Sequence, residues 1–300
     1  MQTHREGDSV YTEFRPLLFS IAYRMVGSAV EAEDLVQEAF LRYHREGSDG
    51  AVIESPRAWL STVTTRLALN HLESARVRRE LYVGPWLPEP LVDEEPVPRR
   101  VELSDSLSLA FLVVLESLNP VERAVFLMRD VFGYGFDEIA ETVGKSTDNC
   151  RQIAVRARRQ VEERRPRFEV SPRKRHEVAA RFFDAVSDGD VDGLIAMLAT
   201  DAVAYTDGGG KARAVLGPVR GPEAIADLFL PARALQSRLV DVNGQPGAVL
   251  VDRTGEPRVV VALGVVDGRV STIHAVSNPE KLTHLGGAST DDPESRSEGG

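Results

Sequence analysis

Five prolines fall within GPWLPEPLVDEEPVPRR (84–100), namely Pro85, Pro88, Pro90, Pro96 and Pro98, and they constrain the chain more than any other feature. Each lacks a backbone donor and disfavours helix in the residue before it, so no helix crosses this stretch. It reads as an extended linker over 84–103, with folded segments on either side. A second break lies between Pro166 and Pro172. A chain of 300 residues, 42% hydrophobic, fits two or three compact domains, which is what the two breaks produce.

The segment before the first break is helical throughout. Tyr11, Phe14, Leu17, Leu18, Ile21 and Met25 recur at three- and four-residue steps, as do Leu35, Val36, Ala39, Phe40 and Tyr43. Ser55-Pro56 reads as an N-cap followed by proline at the first helical position. Trp59 lies among apolar residues at helical spacing, which assigns it to a core rather than to a stacking platform. Helices resume over 104–165, where Asn119-Pro120-x-Glu122 has the form of a capping box.

Beyond the second break the period changes. Helices are expected over 173–187, 190–199 and near 221–230. Short strands are expected at Val203–Tyr205, Ala214–Leu216, Leu239–Val242, Ala248–Val251, Val259–Val266 and Val270–Ala275, parted by Asp207-Gly208-Gly209-Gly210, Asn243-Gly244 and Asp267-Gly268. The fold class is therefore multidomain: two all-α domains followed by an α+β domain. The polar, acidic 286–300 has the composition of a disordered tail.

The formal net charge of −10 argues against nucleic acid only if charge is spread evenly, and it is not. Arg66, Arg76, Arg78 and Arg79 cluster in one segment, and Arg151, Arg156, Arg158, Arg159, Arg164, Arg165 and Arg167 in another. The single cysteine, Cys150, excludes an internal disulfide and a cysteine-based zinc site. The start has no apolar stretch of a secretory signal and nothing approaches a membrane span. A cytoplasmic protein without metal, cofactor or membrane partner is expected.

The second basic segment carries a recognisable architecture. In FDEIAETVGKSTDNCRQIAVRARRQVEER, Ile139, Ala140 and Val143 form the inner face of a short helix that Gly144 ends. Ser146 caps the next helix, whose inner face is Cys150, Ile153, Ala154 and Ala157; there Cys150 is a small core residue. Two such helices around a glycine turn make a helix-turn-helix. Ser146, Thr147, Asn149, Arg151, Gln152 and Arg156 then face base edges, while Arg158, Arg159 and Arg164 suit phosphates. Alone, this motif fits a dimeric repressor as well as an initiation factor.

The first half discriminates. AEDLVQEAFLRYHR followed by PRAWLSTVTTRLALNHLESARVRR resembles sigma domain 2 of the extracytoplasmic-function (ECF) sigma factors of the sigma-70 family, and the resemblance continues through the helix-turn-helix as sigma domain 4. It implies a sigma domain 2 over 8–83 and a sigma domain 4 over 104–167. It also implies that Asp34, Gln37 and Glu38 dock on the β′ clamp helices of core RNA polymerase. Arg66, Asn70, Arg76, Arg78 and Arg79 would grip the opened −10 promoter element, with a base-specifying loop near 46–54. The helix-turn-helix would read the −35 element, sigma domain 4 would sit on the β flap, and the free protein would be a monomer.

Residues 173–285 resemble the SnoaL-like (NTF2-like) fold, a curved sheet wrapped by helices into a cone. The combination is similar to the SigJ-type ECF subgroup, whose signatures match Trp86–Pro90, Asp207–Lys211 and Asn278–Leu282; the last commonly has Asp where this chain has Glu280. Some relatives on this fold are enzymes, and Tyr205, Asp207 and His274 are the residues that chemistry would use. Asp207 is explained by its glycine turn and His274 by an apolar strand, so no catalytic residue is assigned. The expected role of the domain is regulation by contact with the sigma domains in place of a separate anti-sigma protein. Its contact points are expected at Trp86, Leu87, Pro88, Asp207, Gly208, Gly209, Gly210, Lys211, Asn278, Pro279, Lys281 and Leu282. A small-molecule sensor or vestigial isomerase is the alternative for this domain.

Overall fold

The computed structural model describes residues 2–48, 53–80, 82–93, 107–163 and 171–285, with only the backbone for 2–8 and 75–80. The expected tail and linker residues 94–103 lie outside these residues, as do Arg164, Arg165 and Arg167.

Three long helices come first: α1 (Gln2–Val26), α2 (Ala29–Ser48) and α3 (Pro56–Glu80). They bury the apolar faces read from the sequence, with Leu18, Ile21, Met25, Val36 and Ala39 each almost sealed from water. The Ser55 hydroxyl accepts from the Ala58 amide at 3.3 Å and starts α3, as the Ser-Pro pair predicts. Trp59 packs edge-on to Tyr43, with ring centres 5.7 Å apart, in the core as expected. Of the expected 46–54 loop, Glu46–Ser48 instead extend α2, and 49–52 are outside the described residues.

The second helical unit contains α4 (Leu109–Leu115), α5 (Pro120–Phe126, continuing as a π-helical turn Leu127–Val131), α6 (Phe136–Val143) and α7 (Thr147–Glu162). Asn119 and Glu122 form the reciprocal capping box at 3.0 and 3.2 Å.

The third unit opens with α8 (Pro172–Asp188) and α9 (Val191–Met197). Strands β2 (Leu198–Asp207), β3 (Val219–Arg220), β4 (Gln236–Val242), β5 (Gln245–Val251), β6 (Pro257–Val266) and β7 (Arg269–Val276) follow, with α10 (Pro222–Phe229) before β4. The strand expected at Ala214–Leu216 is not one: Val215 is held by the Thr206 side chain, whose hydroxyl takes its amide at 2.8 Å, and the pairing strand is β3. Asn243 and Asp267 take positive φ beside their glycines, the conformation of tight hairpin turns.

The linker supplies one further strand. Val92–Asp93 (β1) pairs antiparallel with β4, so the sheet order is β1-β4-β5-β6-β7-β2-β3. One sheet face packs on α8 to α10 through Phe182, Phe183, Phe229, Leu250 and Ile273. The other face, carrying Val242, Val249, Val260, Ala262 and Val276, shares one apolar core with Leu87, with Leu109 and Leu112 of α4, and with α1 to α3. The helical units therefore cover the sheet as a second layer. Among the described residues no helix is long and apolar enough to cross a membrane.

Candidate functional site

The helix-turn-helix is built as the spacing predicts. Gly144 adopts φ +65° at the end of α6, and the Ser146 hydroxyl caps α7 by accepting from the Asn149 amide at 3.3 Å. Ile139, Cys150, Ile153 and Ala154 form its buried core. Ser146, Asn149, Arg151, Gln152 and Arg156 are exposed and Thr147 half-buried, so all six residues lie on the accessible side. Arg151 pairs with Asp148 at 2.7 Å and stacks over Phe136; Arg158 is tied to Asp130 at 2.9 Å. Val155, which the helical spacing also places on the outer side, is an apolar residue 65% exposed in the middle of this face. A methyl-bearing side chain there suits contact with a thymine methyl group.

On α2, Asp34 and Gln37 are exposed and Glu38 is partly so, paired with Arg42 at 2.7 Å. Val30 and Leu41, 50% and 52% exposed, flank them at helical spacing. The result is an acidic centre with an apolar residue at each end, on one accessible face.

Arg66 is exposed on α3 and also engages the second helical unit. Its guanidinium donates to the main-chain oxygens of Thr142 at 3.1 Å and Glu141 at 2.8 Å, at the C-terminal end of α6, where a cation meets the helix dipole favourably. Thr62 bonds Thr142 at 3.1 Å, Tyr134 donates to Ser61 at 2.6 Å, and Arg123 donates to the Met25 carbonyl at 2.5 Å. The two helical units are thus bonded to each other, with Arg66 bridging them while remaining exposed on α3. Asn70 is exposed. The side chains of Arg76, Arg78 and Arg79 lie outside the described residues.

The three signature segments converge. Asp207 is fully buried, and its carboxylate accepts from Tyr82 Oη at 2.6 Å, Leu87 N at 2.8 Å, Lys281 Nζ at 2.7 Å and Gly209 N at 3.1 Å. Lys281 also donates to the Leu87 carbonyl at 2.5 Å and lies 4.1 Å over the Trp86 ring. Asn278 donates to Tyr82 Oη at 2.8 Å and caps the turn Pro279–Lys281; Lys211 pairs with Glu280. Leu282 is buried in the shared core, and Pro88 of the linker is buried as well. The glycines permit the approach: a Cβ on Gly209 would lie 2.3 Å from Asn278 Nδ2, and one on Gly210 would lie 3.2 Å from Val83. In Gly208 it would meet the Ala212 carbonyl. Burial, reinforced by the Asp207 hydrogen bond, pushes the Tyr82 phenol well above its ordinary pKa, so it stays a donor.

A second joint was not anticipated. Fully buried Tyr23 on α1 donates to the Glu89 carbonyl at 2.5 Å and accepts from Asn243 Nδ2 at 2.8 Å. Asn243 also brackets Leu91, accepting from its amide at 2.9 Å and donating to its carbonyl at 2.8 Å. The Asn-Gly pair signalled a hairpin in the sequence, and nothing local signalled that its side chain would hold the linker.

Of the residues considered for chemistry, Asp207 is committed to the four donors just described, which accounts for it beyond the turn chemistry expected. His274 is buried, stacks on Tyr205 with ring centres 5.5 Å apart, and has its pKa lowered to about 4 by burial. An imidazole so placed is neutral at physiological pH.

Comparison with known proteins follows the same division. The chain matches the models of Sigma-70 region 2 over residues 10–78, Sigma-70 region 4 over 108–161 and the SnoaL-like domain over 179–279. It is 37% identical over 294 residues to the ECF RNA polymerase sigma factor SigJ of Mycobacterium tuberculosis, covering 92% of this chain and 93% of that protein. Similarity to the probable ECF RNA polymerase sigma factor SigI of the same species is 36% over 289 residues, covering 95% and 98%. The crystal structure of the Mycobacterium tuberculosis SigJ superimposes with a TM-score of 0.73 at 34% identity, covering 92% of this chain and 98% of that one.

Proposed function

The chain belongs to the ECF RNA polymerase sigma factors, with a SnoaL-like domain behind sigma-70 regions 2 and 4, and from that premise we propose how its parts divide the work. Residues 8–83 act as sigma domain 2, 84–103 as linker, 104–167 as sigma domain 4 and 173–285 as the regulatory domain. The chain binds core RNA polymerase and directs it to promoters. Asp34, Gln37 and Glu38, flanked by Val30 and Leu41, meet the β′ clamp helices, and sigma domain 4 meets the β flap. Asn70 with Arg66, Arg76, Arg78 and Arg79 holds the −10 element; Ser146, Thr147, Asn149, Arg151, Gln152 and Arg156 read the −35 element.

The observation that carries the reading of regulation is the Asp207–Lys281 clasp, because it ties the appended domain to the linker between the two promoter-binding units. The −10 and −35 elements are separate on the duplex, whereas the two units that would engage them are bonded through Arg66–Thr142 and Tyr134–Ser61, so promoter engagement parts them. The clasp sets how far they part, since a tethered domain acts at high effective concentration.

In vitro transcription with purified core polymerase tests both levels, comparing the wild type, Asp34→Lys/Glu38→Lys and Asp207→Asn. The charge reversal is expected to weaken core binding, and Asp207→Asn to alter initiation at equal core occupancy. No core-dependent initiation by the wild type would overturn the sigma reading. Unchanged initiation by Asp207→Asn would overturn regulation through the clasp.

A further inference from the structure

Self-regulation through a docked domain requires a route from that domain to a surface that meets polymerase, and one linker residue provides a hydrogen-bonded junction of this kind. Leu87 is hydrogen-bonded to Asp207 and Lys281, the Pro90 carbonyl to His284 at 2.9 Å, and Leu91 to Asn243, while Val92 and Asp93 join β4. All of those partners belong to the C-terminal domain. Glu89 is hydrogen-bonded the other way, beside Trp86 and Pro88, which lie against Gly27. Its amide donates to the Gly27 carbonyl at 2.8 Å and its carbonyl accepts from Tyr23, at the corner between α1 and α2.

Its carboxylate, on a residue 8% exposed, accepts from the Ser28 hydroxyl at 2.8 Å, the Ala29 amide at 2.7 Å and, more distantly, the Val30 amide at 3.4 Å. These amides open α2. Ser28 is itself the local cap, accepting from the Glu31 amide at 3.2 Å, so Glu89 adds a second cap from far along the chain. A carboxylate at this position also meets the positive end of the helix dipole. Trp86 closes over the same corner: a Cβ on Gly27, at φ +73°, would lie 2.6 Å from the indole.

We infer that Glu89 is a positioning residue that transmits the docked state of the C-terminal domain to the first turn of α2, and so to the polymerase-facing stripe that begins at Val30. Release of the clasp frees Leu87, two residues before Glu89, the carboxylate withdraws, and the opening turn of α2 loosens at Ala29–Glu31. The inference rests on α2 being the polymerase-docking helix, as proposed above.

A double-mutant cycle on the full chain tests it, reading the Kd for core polymerase in wild type, Lys281→Met, Glu89→Ala and the double variant. Lys281→Met is expected to shift Kd about five-fold or more in the wild-type background and less than about two-fold once Glu89 is gone. Glu89→Gln, which keeps an acceptor for the Ala29 amide, is expected to restore part of the response, and it replaces Glu89→Ala in the cycle if that variant does not fold. In the free protein, hydrogen exchange at Ala29–Glu31 is expected to quicken in Lys281→Met, with central α3 amides unchanged. A plain structural cap would lower stability and leave the two effects on Kd additive. Additive effects, or unchanged exchange at Ala29–Glu31, overturn the inference while leaving the sigma reading intact. A wild type that does not bind core polymerase overturns both.

Discussion

Asp207 and Lys281 form an ion pair at 2.7 Å whose side chains are 0% and 8% exposed, and each also holds the linker, one through the Leu87 amide and the other through the Leu87 carbonyl. Each charge depends on the other, because desolvating either alone is far costlier than desolvating the pair. Lys281→Met leaves a buried carboxylate without its counter-ion and is expected to cost about 3–5 kcal/mol in urea unfolding. The double variant Asp207→Leu/Lys281→Met removes both charges and is expected to recover part of that loss. A double variant less stable than Lys281→Met would show that shape, not charge, makes the joint.

Arg66, although exposed, bridges the two helical units in this structure. Arg66→Ala removes two charge-assisted bonds to the end of α6, each worth about 1.5–3 kcal/mol at most. The free protein is expected to expand, seen as a larger radius of gyration in solution scattering, with little change in helix content. An unchanged radius would mean the apolar core shared by the units holds them closed without it.

Buried His274 gives the stability an acid limb. Its pKa falls from the ordinary 6.5 to about 4 because burial penalises the charged form. The unfolded chain therefore binds a proton near pH 6.5 that the folded chain refuses until about pH 4. Stability is full above the higher value and falls through that window by about 3 kcal/mol. His274→Leu is expected to flatten the limb in unfolding experiments between pH 7 and 4.5. His176, paired with Asp241 at 2.7 Å, has its pKa raised chiefly by that hydrogen bond, so its smaller contribution is present at low pH and fades as pH rises. An acid limb of equal slope in His274→Leu would assign the effect to carboxylates instead.

On the recognition helix, side chains aimed at bases should act differently from those already engaged in ion pairs. Gln152→Ala is expected to cost about 1–3 kcal/mol at a single promoter position and to relax preference there, measured with holoenzyme on duplex variants. Arg158→Ala, tied to Asp130 beside the recognition face, is expected to weaken binding alike on every sequence. Position-specific loss from Arg158→Ala would reverse the two assignments.

Much of the sites was legible where the chemistry is local. The Asn119–Glu122 box, Gly144 and Ser146 depend on residues three or four positions apart, and the structure builds them as the sequence predicts. The apolar run Val259–Val266 lies within a strand as expected, and the structure buries that strand on both faces, the second against residues far away in the chain.

The helices, the helix-turn-helix and strands β2 and β4 to β7 were determined by the sequence itself, because proline, glycine, caps and apolar period act within a few residues, whereas edge strands β1 and β3 were not. Only the tertiary structure decided the joints: Glu89 on Ala29, Arg66 on Thr142 and Lys281 on Asp207 lie 60, 76 and 74 positions apart. Such partners meet only after the apolar faces of three units have packed on one another, and no short-range signal encodes that choice. The signature segments marked where the clasp would be; packing determined that Glu89, on the same linker, would end up against α2.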